Sequence, residues 1–278
     1  MPLFITSLNS GSNGNCYYIG NNTEAVLIDA GISCQETEKR MKRLSLSMAR
    51  VKAIFVSHEH ADHISGVRVL SKKYQLPVYI TPATLRSAGI ITEKHLIRHF
   101  KADQPITIDG LTVIAFPKSH DANDPHSFII SCNYINIGVF TDIGNCCDHV
   151  ITHFKQCHAA FLEANYCEDM LMNGNYPYIL KKRIGGDNGH LSNTQALELF
   201  TKYRGRQLSL LILSHLSKNN NTPELVDELF RQQAGKAKII VASRYKETAV
   251  FCIEQNNSKA GHYNENYLPP TQLQLSLF

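Results

Sequence analysis

Short apolar runs of strand length recur along the chain. The clearest are Tyr17–Ile19, Ala25–Asp29, Ala53–Ser57, Val78–Ile80, Leu111–Phe116, Phe128–Cys132, Ile135–Thr141, Ala159–Glu163, Leu208–Ser214, Lys238–Ala242 and Ala249–Ile253. They are rich in Val, Ile and Phe and bounded by turn-forming residues, which is how buried strands read. Helical patterns lie between several of them. Ser33-Cys34-Gln35-Glu36 has the spacing of a capping box and opens a helix to about Leu44, and Asp62–Tyr74, Ser192–Tyr203 and Thr222–Gln233 also read as helices. Strands dominate each half, so the pattern predicts an α/β fold in which two sheets pack together with helices outside. No repeat or low-complexity block interrupts residues 1–254. Residues 255–272 are polar, with Asn256-Asn257, Gly261 and Pro269-Pro270, and read as a flexible tail.

Composition changes this picture little. With 278 residues, 43% of them hydrophobic, the chain suits one large domain as well as two small ones. No stretch approaches the roughly 20 apolar residues of a membrane span. The start, Met1-Pro2-Leu3-Phe4, runs into strand-like sequence without the pattern of a secretory leader, so a cytoplasmic location is expected. None of the eight cysteines forms a C-x-x-C pair, and they read as reduced and mostly buried. A formal charge of +4 permits an anionic substrate without demanding one. The clusters Lys39-Arg40, Lys42-Arg43, Lys72-Lys73 and Lys181-Lys182-Arg183 are read most simply as solvated helix faces.

The chemistry concentrates at Val56-Ser57-His58-Glu59-His60-Ala61-Asp62-His63, after a strand pattern and before a helix. Imidazole and carboxylate together suit first-row metals such as Zn, Fe, Ni or Mn. At the strand end the chain turns, so His58 and His60 can point one way while Asp62 and His63 start the helix and point at a second metal. The structural alternative is a polar turn with a helix cap at Asp62; burying those groups unpaired would be costly. Further candidates follow other strands: His120 and Asp121 after Phe116, Asp142 after Phe140, and His215 after Ser214.

His58-Glu59-His60-Ala61-Asp62-His63 resembles the H-x-H-x-D-H signature of the metallo-β-lactamase superfamily, and Leu27-Ile28-Asp29-Ala30-Gly31 resembles its early motif. The resemblance covers residues 3 to about 254, taken as the hydrolase domain. It implies a four-layer αββα sandwich and a two-metal site. His58, His60 and His120 would hold one metal, Asp62, His63 and His215 the other, and Asp142 would bridge them. Asp29 would orient the ligand loop from behind. Asp142, where the true β-lactamases carry Cys, is what the phosphodiesterase and thioesterase branches use.

Asn9-Ser10-Gly11-Ser12-Asn13-Gly14-Asn15, Ser119-His120-Asp121-Ala122, Glu163-Ala164-Asn165-Tyr166, Gly189-His190-Leu191-Ser192-Asn193 and Ser214-His215-Leu216-Ser217 resemble the YycJ (WalJ)-like subfamily, regarded as metal-dependent exonucleases. His190 also resembles the His-Ser-Thr motif of ribonuclease Z, which implies phosphate contact and protonation of the leaving oxygen; the plainer reading is a loop histidine before a cap at Ser192. The pattern implies two divalent metals, Zn or Mn, with Fe or Ni as further options. They would activate a water and clamp a phosphate, with Asp62 or Asp142 accepting the proton. The Ser10–Asn15 loop is a candidate anion nest. Residues 165–190, with Tyr176-Pro177-Tyr178 and Lys181-Lys182-Arg183, are a candidate wall of the substrate groove. The sequence assigns no role to Glu163 or Asn165.

The last five residues, Gln274-Leu275-Ser276-Leu277-Phe278, resemble the short peptide by which bacterial replication and repair proteins bind the DNA sliding clamp. Three apolar side chains at the end of a polar tether fit a groove on a partner; folding back onto the chain's own core is the alternative. The leading expectation is therefore a DNA exonuclease working in the 5′ to 3′ direction in replication or repair. A small-molecule hydrolase acting on a cyclic phosphodiester or thioester is the alternative, favoured by the weak basic charge. A non-enzymatic scaffold is disfavoured because every ligand position is filled.

Overall fold

In the computed structural model, which describes residues 1–89 and 93–254, the apolar runs become strands. In chain order they are β1 (Leu3–Asn9), β2 (Cys16–Gly20), β3 (Ala25–Ile28), β4 (Val51–Phe55), β5 (Val78–Tyr79), β6 (Ile97–Arg98), β7 (Ile106–Ile108), β8 (Leu111–Pro117), β9 (His126–Cys132), β10 (Ile135–Phe140), β11 (Ala159–Glu163), β12 (Leu210–Ser214), β13 (Lys238–Val241) and β14 (Phe251–Ile253). One sheet has the order β14-β1-β2-β3-β4-β5-β6 and the other β13-β12-β11-β10-β9-β8-β7. The proposed tail 255–278, including Gln274-Leu275-Ser276-Leu277-Phe278, lies outside the described residues.

Side chains on a strand alternate between faces, and here both faces are buried. Leu3, Ile5, Val26, Ile28 and Phe55 of the first sheet meet Phe128, Ile130, Ile137, Phe161 and Ile212 of the second in one apolar cluster. Their neighbours along the strands point outward. Phe4, Leu27 and Ile54 pack with Met41, Val67 and Leu70 from helices on one side, while Ala160, Leu162 and Leu211 pack with Val150, Phe154, Leu199 and Phe230 on the other. That alternation produces the four layers, helix on sheet on sheet on helix. Truncating a central ring such as the fully buried Phe161 to Ala would cost about 3–5 kcal/mol.

Ser33 caps Cys34–Arg43 by accepting from Glu36 N, although Glu36 turns to Arg40 instead of closing a capping box. Ser192 and Gln195 do form a full capping box at the start of Asn193–Tyr203. The expected helix Asp62–Tyr74 is instead two, Ala61–Ile64 and Val67–Tyr74. The break is at Ser65-Gly66. The Gly66 N–H donates to the Ala30 carbonyl at 2.8 Å and the Asp62 carbonyl accepts from Asn15 N at 2.6 Å, so the helical bond between them is lost. A Cβ on Gly66 would lie 1.9 Å from the Ile32 carbonyl oxygen, so only glycine allows this close docking on the loop after β3. Short strands β5, β6 and β7 and helices Pro82–Ala88, Asp148–Phe154, Glu168–Asn173, Tyr178–Ile184 and Pro223–Arg231 complete the layers. No helix among the described residues is long and apolar enough to cross a membrane.

Strand direction places the chemistry. β3 and β4 are parallel, and so are β10, β11 and β12; β8 is antiparallel to β9, which is antiparallel to β10, so β8 runs with β10. The residues that follow these strands therefore emerge at the same edge of each sheet, where ligand sites of parallel sheets form.

Candidate metal centre

Three residues just beyond strand ends, Asp29, Asp142 and His215, have left-handed backbones, with φ of 59°, 54° and 55°. Non-glycine residues adopt that conformation at a cost and keep it only where neighbours fix it. Asp29 is fixed by its side chain, which accepts from Ser57 N and Ser57 Oγ, each at 2.8 Å. The His215 carbonyl accepts from Asn165 Nδ2 at 2.7 Å, and its N–H donates to Ser10 Oγ at 2.8 Å.

Hydrogen bonding determines the ring tautomers. Ser57 Oγ gives its proton to the Asp29 carboxylate, so His58 Nδ1, 2.9 Å from Ser57 Oγ, must donate, leaving Nε2 as a lone pair. His120 Nδ1 donates to the Gly189 carbonyl at 2.9 Å, which likewise leaves Nε2 bare. Both bare nitrogens face His60 Nδ1, at 3.0 Å from His58 and 3.3 Å from His120. His60 Nδ1 can offer at most one proton to two lone pairs. A cation among the three rings satisfies all of them.

The second cluster has the same logic. His63 Nδ1 donates to Asp29 Oδ2 at 2.6 Å, so Nε2 is the lone pair; it lies 3.0 Å from Asp142 Oδ2 and 3.5 Å from Asp62 Oδ2. His215 Nδ1 donates to Glu163 Oε1 at 3.0 Å, and its Nε2, 3.5 Å from Asp62 Oδ2, is buried without a hydrogen-bond partner. Asp142 Oδ2 is also buried and unpartnered. Two acceptors with nothing to accept from, beside further acceptors, fit a metal ion. His58, His60 and His120 form one group able to hold an ion, and Asp62, His63 and His215 another. Asp142 stands between them, with Oδ1 3.7 Å from His120 Nε2 and 3.3 Å from His215 Nδ1.

The two halves differ electrically. Burial holds His58 well below the ordinary imidazole value and takes His120 to about 4, so these rings are neutral donors. In the other half burial is outweighed by carboxylates. Asp142, Asp62 and Glu163 lift His215 to about 10, and Asp142, Asp29 and Asp62 lift His63 well above its usual value, so without an ion a proton takes the Nε2 lone pair of each ring, in the place a metal ion would occupy. The carboxylates respond in kind: burial notwithstanding, the histidines hold Asp62 and Glu163 at about 2 and Asp142 well below the carboxylate range. Four buried or half-buried carboxylates here call for positive charge, which divalent ions supply.

Residues 24–215, which span every residue from Asp29 to His215 discussed above, match the family described as the Beta-lactamase superfamily domain. The chain belongs to the metallo-β-lactamase superfamily. Within the superfamily it is similar to exodeoxyribonuclease YycJ of Bacillus anthracis, at 35% identity over 233 residues, covering 81% of this chain and 86% of that protein. Exodeoxyribonuclease WalJ of Streptococcus pneumoniae is 30% identical over 247 residues, covering 86% and 91%. The solved structure of the metallo-β-lactamase fold protein YhfI from Bacillus subtilis superposes with a TM-score of 0.69 at 16% identity, covering 89% of this chain and 99% of that one, and supports the four-layer fold. The chain is thus a metal-dependent hydrolase of this superfamily.

Its site includes residues whose part in it the sequence did not reveal. Glu163, fully buried at the end of β11, accepts from Ile143 N at 2.7 Å, Leu191 N at 3.2 Å, His190 Nδ1 at 2.7 Å and His215 Nδ1 at 3.0 Å. Asn165 holds His215 in its strained conformation. Asn15 Oδ1 accepts from Gly11 N, which fixes the amide so that Nδ2 faces Asp62 Oδ2 at 3.1 Å and His63 Nε2 at 3.0 Å. The buried Lys118 donates to the Thr141 carbonyl beside Asp142. The N–H groups of Ser10, Gly11, Gly14 and Asn15 are all engaged by the protein itself, so the expected anion nest is reduced to those of Ser12 and Asn13, and the loop serves the site chiefly through side chains. His190 joins Asp62, Asp142 and His215 around a pocket of about 200 Å³ whose outer wall is Leu180, Arg183 and Ile184. Arg183 is paired with Asp121, and Tyr178 and Ile179 point to solvent.

Proposed function

We propose that this hydrolase is a two-metal phosphodiesterase that degrades DNA from a 5′ end toward the 3′ end, in replication or repair. The observation that carries the reading is the pair of three-residue groups meeting at Asp142, in a chain 35% identical to an exodeoxyribonuclease over most of its length. His58, His60 and His120 would hold one divalent ion, Asp62, His63 and His215 the other, with Asp142 shared; Zn and Mn suit this mixed donor set, as do Fe and Ni. Bound there, the ions supply Lewis acidity, lowering the pKa of water and neutralising phosphate charge.

The chain's own groups do the rest. Asp62 is the half-exposed carboxylate of the site, held ionised and facing the pocket, and can accept a proton from the attacking water. Asp142 is hemmed in by His63, His120 and His215, which suits a shared ligand. His190 gives its Nδ1–H to Glu163, which fixes the ring and leaves Nε2 for the substrate. In the doubly protonated ring, whose charge Glu163 balances, the Nε2–H can contact the phosphate and pass its proton to the departing 3′ oxygen, leaving a neutral imidazole. A second reading, hydrolysis of a small cyclic phosphodiester or a thioester, is favoured by the modest volume and by Arg183 being, among the described residues, the one arginine or lysine on the lining, already paired.

Purified protein incubated in Mn²⁺, and separately in Zn²⁺, with 5′-phosphorylated single-stranded DNA and with its duplex separates the readings. Shortening from the 5′ end, absent in Asp62→Ala, supports the exonuclease. Intact DNA, with metal bound and a small phosphodiester hydrolysed, supports the second. The sliding clamp is the proposed partner through Gln274, Leu275, Ser276, Leu277 and Phe278. Leu277→Ala with Phe278→Ala should abolish binding to the clamp, and unchanged binding removes that proposal.

A further inference from the structure

A second concavity, of about 300 Å³, adjoins the metal-side pocket, and its lining includes Ser10, Leu216, Lys218, Arg244 and Tyr245. The two share a wall. His215 belongs to the metal side, and the residues that follow it, from Leu216 to Lys218, line the other. Ser12 lines the metal side, and its Oγ accepts from Arg244 Nη2 at 2.9 Å; the same Nη2 approaches the Leu216 carbonyl at 3.5 Å. The Arg244 guanidinium therefore sits on the ridge between the two pockets. Among the described residues it meets no carboxylate, and neither does Lys218.

The ridge is built for that arginine. Gly11 has φ of +145°, and a Cβ there would come within 2.8 Å of Arg244 Nη2 and 3.2 Å of Arg244 Cβ. The side chain lies flat across the loop only because position 11 is glycine. The backbone beneath is tied from three sides: Ser10 N donates to the Ser243 carbonyl at 3.2 Å, Asn13 Nδ2 to the Arg244 carbonyl at 2.9 Å, and the buried Arg40 to the Tyr245 carbonyl at 3.2 Å. This fixed strap holds out one cation and one aromatic ring, since the Tyr245 side chain is largely in solvent.

A half-buried guanidinium with unused donors, a lysine, and an exposed ring over a concavity are the parts that hold one unit of a single strand: charge for phosphate, a ring for the base. Two cations face one carboxylate on this lining, Glu224, so the balance favours an anion. We propose that this second pocket is a nucleotide subsite, in which Arg244 takes the phosphate next to the one cleaved and Tyr245 stacks on the adjoining base. The proposal rests on the DNA reading above and extends it: chain length beyond the scissile bond is recognised by the strap 243–245.

The test compares wild-type holoenzyme with Arg244→Ala, Arg244→Lys and Tyr245→Ala on two substrates. One is a 5′-phosphorylated single-stranded oligonucleotide; the other is thymidine 5′-p-nitrophenyl phosphate, which has a single phosphodiester and no neighbouring nucleotide. For Arg244→Ala the oligonucleotide KM should rise about tenfold, and its logarithmic salt dependence should fall by about one, the signature of a lost phosphate contact. Hydrolysis of the nitrophenyl diester should stay within about twofold of wild type. Arg244→Lys should restore part of the loss, and Tyr245→Ala should raise the oligonucleotide KM without changing the salt dependence. Equal losses on both substrates would make Arg244 a prop for the Gly11 loop and overturn the subsite, as would no change on either. Wild-type enzyme that hydrolyses the nitrophenyl diester and leaves the oligonucleotide intact overturns the DNA reading itself, a result distinct from either.

Discussion

Glu163→Gln is the most informative single change, because one fully buried carboxylate accepts four hydrogen bonds and two come from histidines of the site. Glutamine has nearly the same shape but only one accepting oxygen. If its NH₂ turns toward Ile143 N and Leu191 N, two backbone donors are orphaned; if it turns toward His190 and His215, two ring N–H groups are. An orphaned buried donor costs about 1–3 kcal/mol, so either orientation costs about 2–6 kcal/mol before relaxation. The rings have an escape that the backbone lacks. His215 can move its proton to Nε2, which then faces Asp62, and accept from the new amide through Nδ1. That relaxation preserves the fold and removes the lone pair at the proposed ligand atom. Loss of such a supporting contact typically lowers metal affinity about 10–100-fold. Glu163→Gln should therefore fold, unfold a few degrees lower than wild type, and bind Zn²⁺ at least about tenfold more weakly. Competition with a chromophoric chelator measures the affinity, and thermal unfolding of chelator-treated protein measures the fold separately. Affinity within about threefold of wild type, with an unchanged Tm, would refute the view that Glu163 sets the His215 tautomer.

Three further outcomes follow from the same geometry. Asn15→Ala should lower kcat about tenfold, as expected for a lost contact that positions Asp62, and Asn15→Asp should do worse because it sets a second carboxylate against Asp62 Oδ2; equal kcat for the wild type and both variants would dismiss the contact. Gly11→Ala should lower stability by about 1–3 kcal/mol in denaturant unfolding, given its φ and the nearby Arg244, while Gly89→Ala, at φ of 57° in open space, should cost no more than about 1–2 kcal/mol. In metal-free protein, Glu163 is depressed in the fold from 4.5 to about 2, so its contribution of about 3 kcal/mol is complete above pH 4.5 and lost as pH falls through about 2. His120, depressed from 6.5 to about 4, favours its neutral ring in the fold, so its contribution is present above pH 6.5 and lost as pH falls through about 4. A Tm that stays flat as chelator-treated protein is acidified from about pH 7 to about pH 2 would contradict both.

The layer order was legible in the sequence because alternation is a local property. Leu3, Phe4 and Ile5 fill two different cores from adjacent positions, and Ala160, Phe161 and Leu162 do the same. Runs such as Ala159–Glu163 read as buried on both faces, which already implies something packed on each. The two-residue strands β5 and β6 were another matter: Ile97-Arg98 has too little sequence to show a period, and pairing decides it. The break at Ser65-Gly66 failed for a related reason. Ser65 and Gly66 are tolerable within a helix, and the interruption comes from other elements: the Ala30 carbonyl takes the Gly66 N–H, and Asn15 N takes the Asp62 carbonyl.

The site divides along the same line. His58, His60, Asp62 and His63 could be read together because they are neighbours in the chain; His120, Asp142 and His215 could be added because each follows an apolar run. Glu163 follows that rule as well, yet a carboxylate at the end of a strand has no signature distinguishing a ligand from a hub that holds two histidines. The distinction lies in what it accepts, namely Ile143 N, Leu191 N and two rings contributed by separate loops. Asn15 is hidden more deeply, since its side-chain orientation depends on Gly11 N, and the role of Gly11 depends on Arg244, 233 positions further on. Ligand identity in this site is thus written locally, whereas ligand protonation is written in tertiary contacts. The arrangement has a mechanical consequence. Asp29, Asp142 and His215 all carry left-handed backbones, and Asp29 and His215 are held by partners from other strands or loops, Ser57 and Asn165. The centre can form only when the strand ends of both sheets are in place, so assembly of the metal site and closure of the sandwich are the same event.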